Sequence, residues 1–467
     1  MEDKFYDQCG VFGIYSTEID VAHATFLGLY ALQHRGQESA GIAVHNNNNF
    51  VYHKGMGLVQ QVFDDETLKK LKGNMAIGHV RYSTSGDSVI ENSQPVIVQY
   101  KKGNIAIAHN GNLVNALSLK KELEDEGSIF RSTVDSEVII HLIARSKKLN
   151  IREALIEALQ MVEGAYSLVL MTENEVIGIR DPSAFRPLCI GTVGNSYCLA
   201  SESCALEQIG AQYLRSVEPN EMIVLNENGL NSYPLEQTRK SSMCIFELIY
   251  LARPDSYVFS KSVYQTRKEF GKTLAKEHLI DADLVIPVPD SGIPAAIGYS
   301  EQSGIPYDMG LLRNHYVGRT FIQPGQYFRT TKVRIKLSPV SELIKGKRVI
   351  IVDDSIVRGT TSMEIVKMLR NVGAKEIHLL VSSPPINYPC FYGIDTPTRE
   401  ELIAAVYNDD VNEIRKYLKA DSVYYLSVEG LLSVMGKNYQ DYCLACFNGK
   451  YPVNPTDFFM NKTIKSC

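Results

Sequence analysis

The amino-acid sequence predicts a two-domain α/β protein, and three observations carry that prediction. The first half alternates short, Gly-bounded apolar runs with helical segments. The second half contains continuous apolar runs separated by single helices, as in a parallel sheet covered on both faces. Between them lies a polar stretch, Tyr233–Ser242 (YPLEQTRKSS), read as a linker. The length of 467 residues suits two or three ordinary domains.

In chain order, Gly10–Ile14 and Ala40–Val44 are predicted strands. Between them, Asp20 can N-cap a helix whose apolar positions include Ala24, Leu27 and Ala31, with Gly36 as its stop. The short Asn46–Asn49 run reads as a hairpin tip. Met75–Val80 and Ile105–His109 are further strands, each running into a polar cluster. Helices follow at Leu113–Glu126, Ser136–Lys147 and Ile151–Val162, the last with Ile151, Leu155, Leu159 and Val162 at core spacing. Strands at Tyr166–Met171, Val176–Ile179 and Tyr197–Ala200 close the first half. In the second half, Leu284–Val288 leads through Pro289-Asp290-Ser291-Gly292 into a helix passing Ala296. Arg348–Val352 leads through a Gly/Thr turn into a helix over Thr361–Val372, stopped by Gly373, and Glu376–Ser382 is a third strand. Arg313–Thr331 reads as a long loop, and loops of that length in a compact domain are usually functional.

Composition narrows the class. Apolar residues make up 45% and charged residues 22%, which excludes a disordered, collagenous or coiled-coil chain. Lys and Arg number 48 against 53 Asp and Glu, so no net charge draws the chain to nucleic acid. No apolar window is long enough to span a membrane, and the opening MEDKFYDQ lacks a secretory h-region. Nine cysteines, odd in number and irregular in spacing, argue against a disulfide framework and for metal or catalytic use. The expectation is a cytoplasmic protein with reduced thiols.

Chemistry enters first at RVIIVDDSIVRGTTS, Arg348–Ser362. A buried strand delivers Asp353 and Asp354 to its C-terminal end, where ligands of open α/β sheets bind. Gly359-Thr360-Thr361 then starts a helix whose free N–H groups can cradle a phosphate. The acids would repel that phosphate, so they suit sugar hydroxyls or Mg²⁺. The Gly-Lys-Ser/Thr of an ATP-binding P-loop is absent. An N-capped helix with two solvated acids is the plainer reading. Against it, the string resembles the pyrophosphate-sugar loop of type I phosphoribosyltransferases.

Cys9-Gly10-Val11-Phe12-Gly13-Ile14 opens the first strand. Alone, such a cysteine is more often a small buried hydrophobe. Downstream stand His34-Arg35-Gly36-Gln37-Glu38, Gly78-His79-Val80-Arg81-Tyr82-Ser83-Thr84, His109-Asn110-Gly111-Asn112-Leu113 and Thr133-Val134-Asp135-Ser136-Glu137. In this order and spacing, the set resembles the glutaminase domain of class II, N-terminal-nucleophile glutamine amidotransferases. The resemblance implies that residues 1–8 are a propeptide and that Cys9 becomes the first residue. Its freed amine, with a pKa of about 7.7–8.0, then serves as the general base for its own thiol. It further implies an oxyanion hole from Asn110 and the Gly111 N–H, worth about 3–4 kcal/mol per donor. Arg81 would grip the glutamine α-carboxylate, Asp135 its ammonium, and Arg35 would belong to the same pocket. A surface ion pair and a helix N-cap are the plainer readings of Arg81 and Asp135.

Cys443-Leu444-Ala445-Cys446 is a C-x-x-C pair, used alike by zinc knuckles, redox pairs and clusters. Together with Cys244 after the linker and Cys390 in Pro389-Cys390-Phe391-Tyr392-Gly393, it resembles the iron–sulfur branch of the glutamine phosphoribosylpyrophosphate amidotransferase family. There, four such cysteines hold one 4Fe–4S cluster; by geometry alone four thiolates can equally hold Zn²⁺. Cys189, Cys198, Cys204 and Cys467 match no role and read as core or surface thiols. Pro289–Gly292 resembles the loop facing the pyrophosphate, with Ser291 near Mg²⁺ alongside Asp353 and Asp354. Arg313–Ile322, including Arg319, resembles the flexible loop over the bound sugar.

The family resemblance implies a four-layer αββα sandwich over 9–235 joined to a parallel-sheet phosphoribosyltransferase domain over 243–467. It also implies ammonia passed from glutamine to phosphoribosyl pyrophosphate, a homo-oligomer (tetramer or dimer) and inhibition by purine nucleotides. Other amidotransferases that share the glutaminase half would lack the Asp353–Thr361 loop. A non-enzymatic phosphoribosyl sensor would have no reason to keep Cys9, Arg81, Asn110 and Asp135 together.

Overall fold

The computed structural model describes residues 9–46, 49–82, 88–236, 239–314, 335–455 and 457, with backbone only at 437–439. In the first half two antiparallel sheets face each other. One has seven strands in the order Gln212–Ser216, Cys189–Val193, Ser196–Ala200, Gly10–Tyr15, Met75–Arg81, Ser39–Asn46 and Asn49–Met56. The other has six, in the order Gly229–Pro234, Glu221–Asn226, Val176–Arg180, Gly164–Met171, Gly103–Leu113 and Val96–Tyr100.

Strand alternation explains the layering. Along the first strand, Val11 packs between the sheets while Phe12 and Ile14 turn outward beneath the helix Val21–Ala31. Along Gly103–Leu113, Ala106 and Ala108 face the other sheet, whereas Ile105 and Ile107 face the helices Ala116–Asp125, Ser136–Arg145 and Ile151–Leu159. Three apolar cores thus separate four layers, the αββα order that the resemblance implied.

The second half is built on a parallel sheet, Leu284–Pro287, Arg348–Asp353, Glu376–Val381 and Ser422–Tyr425. Both faces of the first three strands are buried, which is why these read as unbroken apolar runs, whereas the edge strand Ser422–Tyr425, with Tyr424 exposed, was not expected from the sequence. Val285, Ile350, Val352 and Leu380 pack toward the helices Val263–Glu277 and Ile293–Ser303. Val349, Ile351, Leu379 and Val381 pack toward Thr360–Asn371.

Two sequence expectations shift. The strand expected to stop at His109 continues through Asn110-Gly111-Asn112 to Leu113, in register with Ala165–Ser167, and the helix starts only at Ala116. Gly111 adopts φ +154°, which carries the chain onward in the ladder. The linker expected from Tyr233 begins later, since Tyr233 and Pro234 still pair with Met222 and Glu221. The Asn46–Asn49 tip joins paired strands, with its inner residues 47–48 outside the described set.

Candidate active sites

Cys9 immediately precedes the strand Gly10–Tyr15, whose pairing of Gly10 with Val80 carries Cys9 to the Arg81-Tyr82 end of the neighbouring strand. Its Sγ donates to the Tyr82 carbonyl at 3.5 Å. Burial pushes the thiol up to about 11; the Asp135 and Glu38 carboxylates add to this, and the Arg81 guanidinium opposes it. A thiol so placed is neutral at pH 7 and needs a base to become a nucleophile.

Asn110 is 1% exposed, and its Nδ2 has no hydrogen-bond partner among the described residues. A buried donor left unpaired costs about 1–3 kcal/mol. Such an orphan suits an acceptor that arrives with the substrate. Asp135 caps the other side of this strand: one oxygen accepts from the Leu113 N–H at 2.8 Å, the other meets His109 Nδ1 at 3.3 Å. Burial alone would raise its carboxyl, but His109 and backbone N–H groups hold it below its ordinary value. Asp135 therefore stays an anion and can face an ammonium. Arg81 is buried, and its Nη1 lies 3.4 Å from Glu38, a pairing that aims a cation from the same strand end. Glu38 lies inside a quoted motif, yet its spacing gave no role.

Arg35 is placed differently from a pocket-lining residue. It is 1% exposed, its Nε donates to Glu202 at 2.7 Å, and its terminal nitrogens meet Glu247. Its charge is thereby answered within a buried network that reaches across the linker.

In the second half, Asp353 ends its strand and Asp354 follows, both 1% exposed. Asp354 donates its N–H to Asp353 Oδ1 at 2.9 Å, and its carboxylate accepts from Ser291 Oγ and, at 2.6 Å, from Ser355 Oγ. Ser291 arrives from the loop after the adjacent parallel strand, so neighbouring strand ends build the site together, as in open α/β sheets. These donors are all oxygen, the set that Mg²⁺ prefers. Gly359, with φ +79°, N-caps the helix whose first turn is Thr360-Thr361; a Cβ there would stand 2.6 Å from Ile403. Arg267 was not anticipated. It is buried, donates to the Leu248 and Ala252 carbonyls at 2.9 and 2.8 Å, and feels the Asp354 charge, while burial lowers it to about 10. A basic residue inside a helix carries no sequence signal for this. Arg313 pairs with Asp290 beside Ser291. Arg319 and the remainder of its loop from residue 315 onward lie outside the described residues.

Cys244, Cys390, Cys443 and Cys446 line one enclosed cavity of about 20 Å³, together with Phe185, Tyr392 and Ile394. A two-residue parallel ladder sets Cys244 opposite Cys443, and the Tyr392 N–H donates to Cys390 Sγ at 3.3 Å. Burial pushes Cys244 up to about 11 and drives Cys443 and Cys446 higher, with mutual repulsion adding to it. Such thiols become thiolates only with a cationic group among them. Among the described residues no trio of His, Cys, Asp or Glu converges on a single ion. Four thiolates 2.3 Å from one Zn²⁺ would stand only about 3.8 Å apart. The four cysteines lining this cavity are the residues that could hold a metal ion or a multi-iron cluster. Cys189, Cys198 and Cys204 are buried core thiols of the first half.

Residues 79–208 match the glutamine amidotransferase domain family, and residues 266–385 match the phosphoribosyl transferase domain family. The amidophosphoribosyltransferase of Bacillus subtilis (strain 168) is 51% identical over 451 residues, covering 96% of this chain and 94% of that one. That of Methanocaldococcus jannaschii is 50% identical over 462 residues, covering 95% and 97%. Among solved structures, the B. subtilis glutamine phosphoribosylpyrophosphate amidotransferase complexed with ADP and GMP superposes with a TM-score of 0.90 at 51% identity, covering 96% of this chain and 98% of that one. Relatedness of this depth over nearly the whole length of both partners, on top of the two sites above, leaves one conclusion: the chain belongs to the amidophosphoribosyltransferase family.

Proposed function

We propose that the chain, a glutamine-dependent amidophosphoribosyltransferase, divides its reaction between the two sites just described. The overall conversion is glutamine, 5-phosphoribosyl 1-pyrophosphate and water to 5-phosphoribosylamine, glutamate and pyrophosphate, the committed step of purine synthesis. The observation that supports the division best is the orphaned Asn110 Nδ2 in the half that holds Cys9, with paired strand-end acids in the other half.

Cys9 Sγ attacks the glutamine amide carbon, its proton passing to the α-amine that removal of residues 1–8 would free. Asn110 Nδ2 and the Gly111 N–H receive the developing oxyanion. Arg81 holds the α-carboxylate and Asp135 the α-ammonium. Collapse of the tetrahedral species releases ammonia, and water then cleaves the thioester to glutamate. In the second site, Gly359, Thr360 and Thr361 would cradle the 5-phosphate, Asp353 and Asp354 would orient the ribose hydroxyls, and Arg319 would be a further ligand of the sugar pyrophosphate. Ammonia attacks the anomeric carbon, and pyrophosphate leaves. When bound among Asp353, Asp354 and Ser291, Mg²⁺ would neutralise the leaving group.

The reading takes residues 9–235 and 243–467 as the two domains and Cys244, Cys390, Cys443 and Cys446 as ligands of a structural 4Fe–4S cluster. It includes a cytoplasmic homo-oligomer inhibited by purine nucleotides; the B. subtilis neighbour, described with ADP and GMP bound, supports the last point. Among the described residues no helix is long and apolar enough to cross a membrane. The test is the release of glutamate and pyrophosphate with glutamine, the sugar pyrophosphate and Mg²⁺ omitted in turn; pyrophosphate release that ignores glutamine and ammonia sinks the reading. Metal analysis should give about four irons per chain, the number a cubane holds. Colourless protein with stoichiometric zinc would leave the ligands standing and the metal wrong.

A further inference from the structure

The segment that carries Cys390 does more than line the cysteine cavity: it lies directly against the glutaminase oxyanion strand. Asn112 Nδ2 donates to the Phe391 carbonyl at 2.9 Å, across the boundary between the two halves. Two residues on, Gly393 takes φ +101° and presses on the backbone of Gly111; a Cβ at Gly393 would stand 3.0–3.2 Å from Gly111 C, O and Cα. On its opposite side Gly111 meets the strand Gly164–Met171, where a Cβ would fall 2.0 Å from the Ala165 carbonyl. Gly111 is therefore held between two backbones, one from each half.

The pressing segment is itself fixed. Arg186, fully buried, donates Nε to the Tyr392 carbonyl at 2.8 Å and adds a second bond from Nη2. Glu247 holds Arg186 in turn, with Oε1 3.4 Å from Nη1. The Phe185 ring stacks on Tyr392 at 4.1 Å, and the Tyr392 hydroxyl bonds to Val453. At its start, the Tyr392 N–H bonds to Cys390 Sγ in the cysteine cavity.

We infer that Asn112 and Arg186 are positioning residues that clamp the Phe391–Tyr392 backbone, so that the cysteine-bearing segment of the second half holds Gly111 in oxyanion geometry. Neither side chain is needed to touch glutamine; each acts through a carbonyl. A displaced oxyanion donor weakens the transition state without weakening substrate binding, because the donor's target exists only in the transition state. The inference rests on the reading of Asn110 and Gly111 as the oxyanion hole.

The test uses the processed, iron-loaded enzyme and its Asn112→Ala, Gly393→Ala and Asn110→Ala variants. Asn112→Ala should lower glutamine-dependent kcat about 10–100-fold, the scale of a small misplacement, with KM for glutamine nearly unchanged. Cys9 labelling by the diazo-ketone analogue of glutamine should slow in parallel. Iron content and ammonia-dependent synthesis should stay at wild-type levels, which a general loss of structure would not permit. Gly393→Ala should reproduce the pattern. If Asn110→Ala leaves kcat intact, the oxyanion reading itself fails. If Asn110→Ala is impaired but Asn112→Ala keeps wild-type kcat and labelling, or loses both activities together, the positioning role is overturned.

Discussion

The Cys9 thiol and the His79 imidazole sit on adjacent elements of one sheet, and burial pushes both toward their neutral forms. For Cys9, a thiol raised to about 11 is almost entirely protonated at pH 7, so its own α-amine, titrating near 8, is the natural base. A peptide nitrogen cannot accept that proton. The mature enzyme should therefore begin at Cys9, and intact-mass measurement of active protein should show Met1–Gln8 missing. A fully active chain still carrying them would rule out the nucleophile-plus-base arrangement. His79 is fully buried; its Nε2 donates to the His109 carbonyl at 3.0 Å, and burial lowers its pKa to about 3. Its unfolded value is near 6.5, so between pH 6.5 and 3 the unfolded chain binds the extra proton and stability falls as pH falls. The slope from this one group approaches about 1.4 kcal/mol per pH unit. The buried carboxylate Glu137, lowered to about 2, acts only below its unfolded value of 4.5, outside most of this window. Asp181, raised to about 6 by burial, works the other way below pH 6, so the expectation is a difference: urea midpoints at pH 7, 6 and 5 should decline more in wild type than in His79→Gln. Parallel declines in the two proteins would exclude His79 as the cause.

Between elements, the helices Val263–Glu277 and Ile293–Ser303 meet at reciprocal glycines. A Cβ on Gly271 would stand 1.9 Å from the Ala295 carbonyl, and one on Gly298 would stand 1.9 Å from the Lys268 carbonyl. In an open helix, Gly→Ala stabilises by about 1 kcal/mol. Here the obstructing atoms are backbone, and overpacking of about 1–3 kcal/mol or more should win. Gly298→Ala should lower the melting temperature by several degrees; a rise would show that the helices part easily. Element legibility followed packing. Three of the four parallel strands were legible because burial on both faces forces continuous apolar runs, whereas the edge strands Ser422–Tyr425, Gln212–Ser216 and Gly229–Pro234, partly exposed, carry no such pattern. Asn110-Gly111-Asn112 was expected as a polar cluster beyond the strand, because only pairing with Ala165–Ser167, distant in sequence, holds it extended. The strand-end acids were readable from local chemistry. Nothing in the spacing of Cys244 and Cys443 predicts the two-residue ladder that sets them side by side. Arg35 and Arg186 meet Glu247, and Arg186 meets the Tyr392 carbonyl, only across the assembled halves, while Arg267 meets the Leu248 and Ala252 carbonyls only once the second half has folded.

At the scale of the molecule, the two halves share buried contacts but keep their reacting groups apart. Arg35 and Arg186 from the first half both meet Glu247 beyond the linker, a buried charge set costly to break one member at a time. Cys9 belongs to the antiparallel sandwich, whereas Asp353 and Asp354 belong to the parallel sheet. Cys9→Ala removes the proposed nucleophile and leaves the Asp353–Thr361 loop untouched. That variant should lose glutamine-dependent synthesis while still making phosphoribosylamine from added ammonia at high pH, where ammonia is unprotonated. Asp353→Asn or Asp354→Asn should abolish both routes to product, since both need the sugar held, yet spare a low basal glutaminase. In wild type the basal glutaminase should rise when the sugar pyrophosphate binds, the response expected of a site gated by its acceptor. If Cys9→Ala loses ammonia-dependent and glutamine-dependent synthesis to the same extent, the chemistry is not divided between the two sheets, and the two-site reading falls with it.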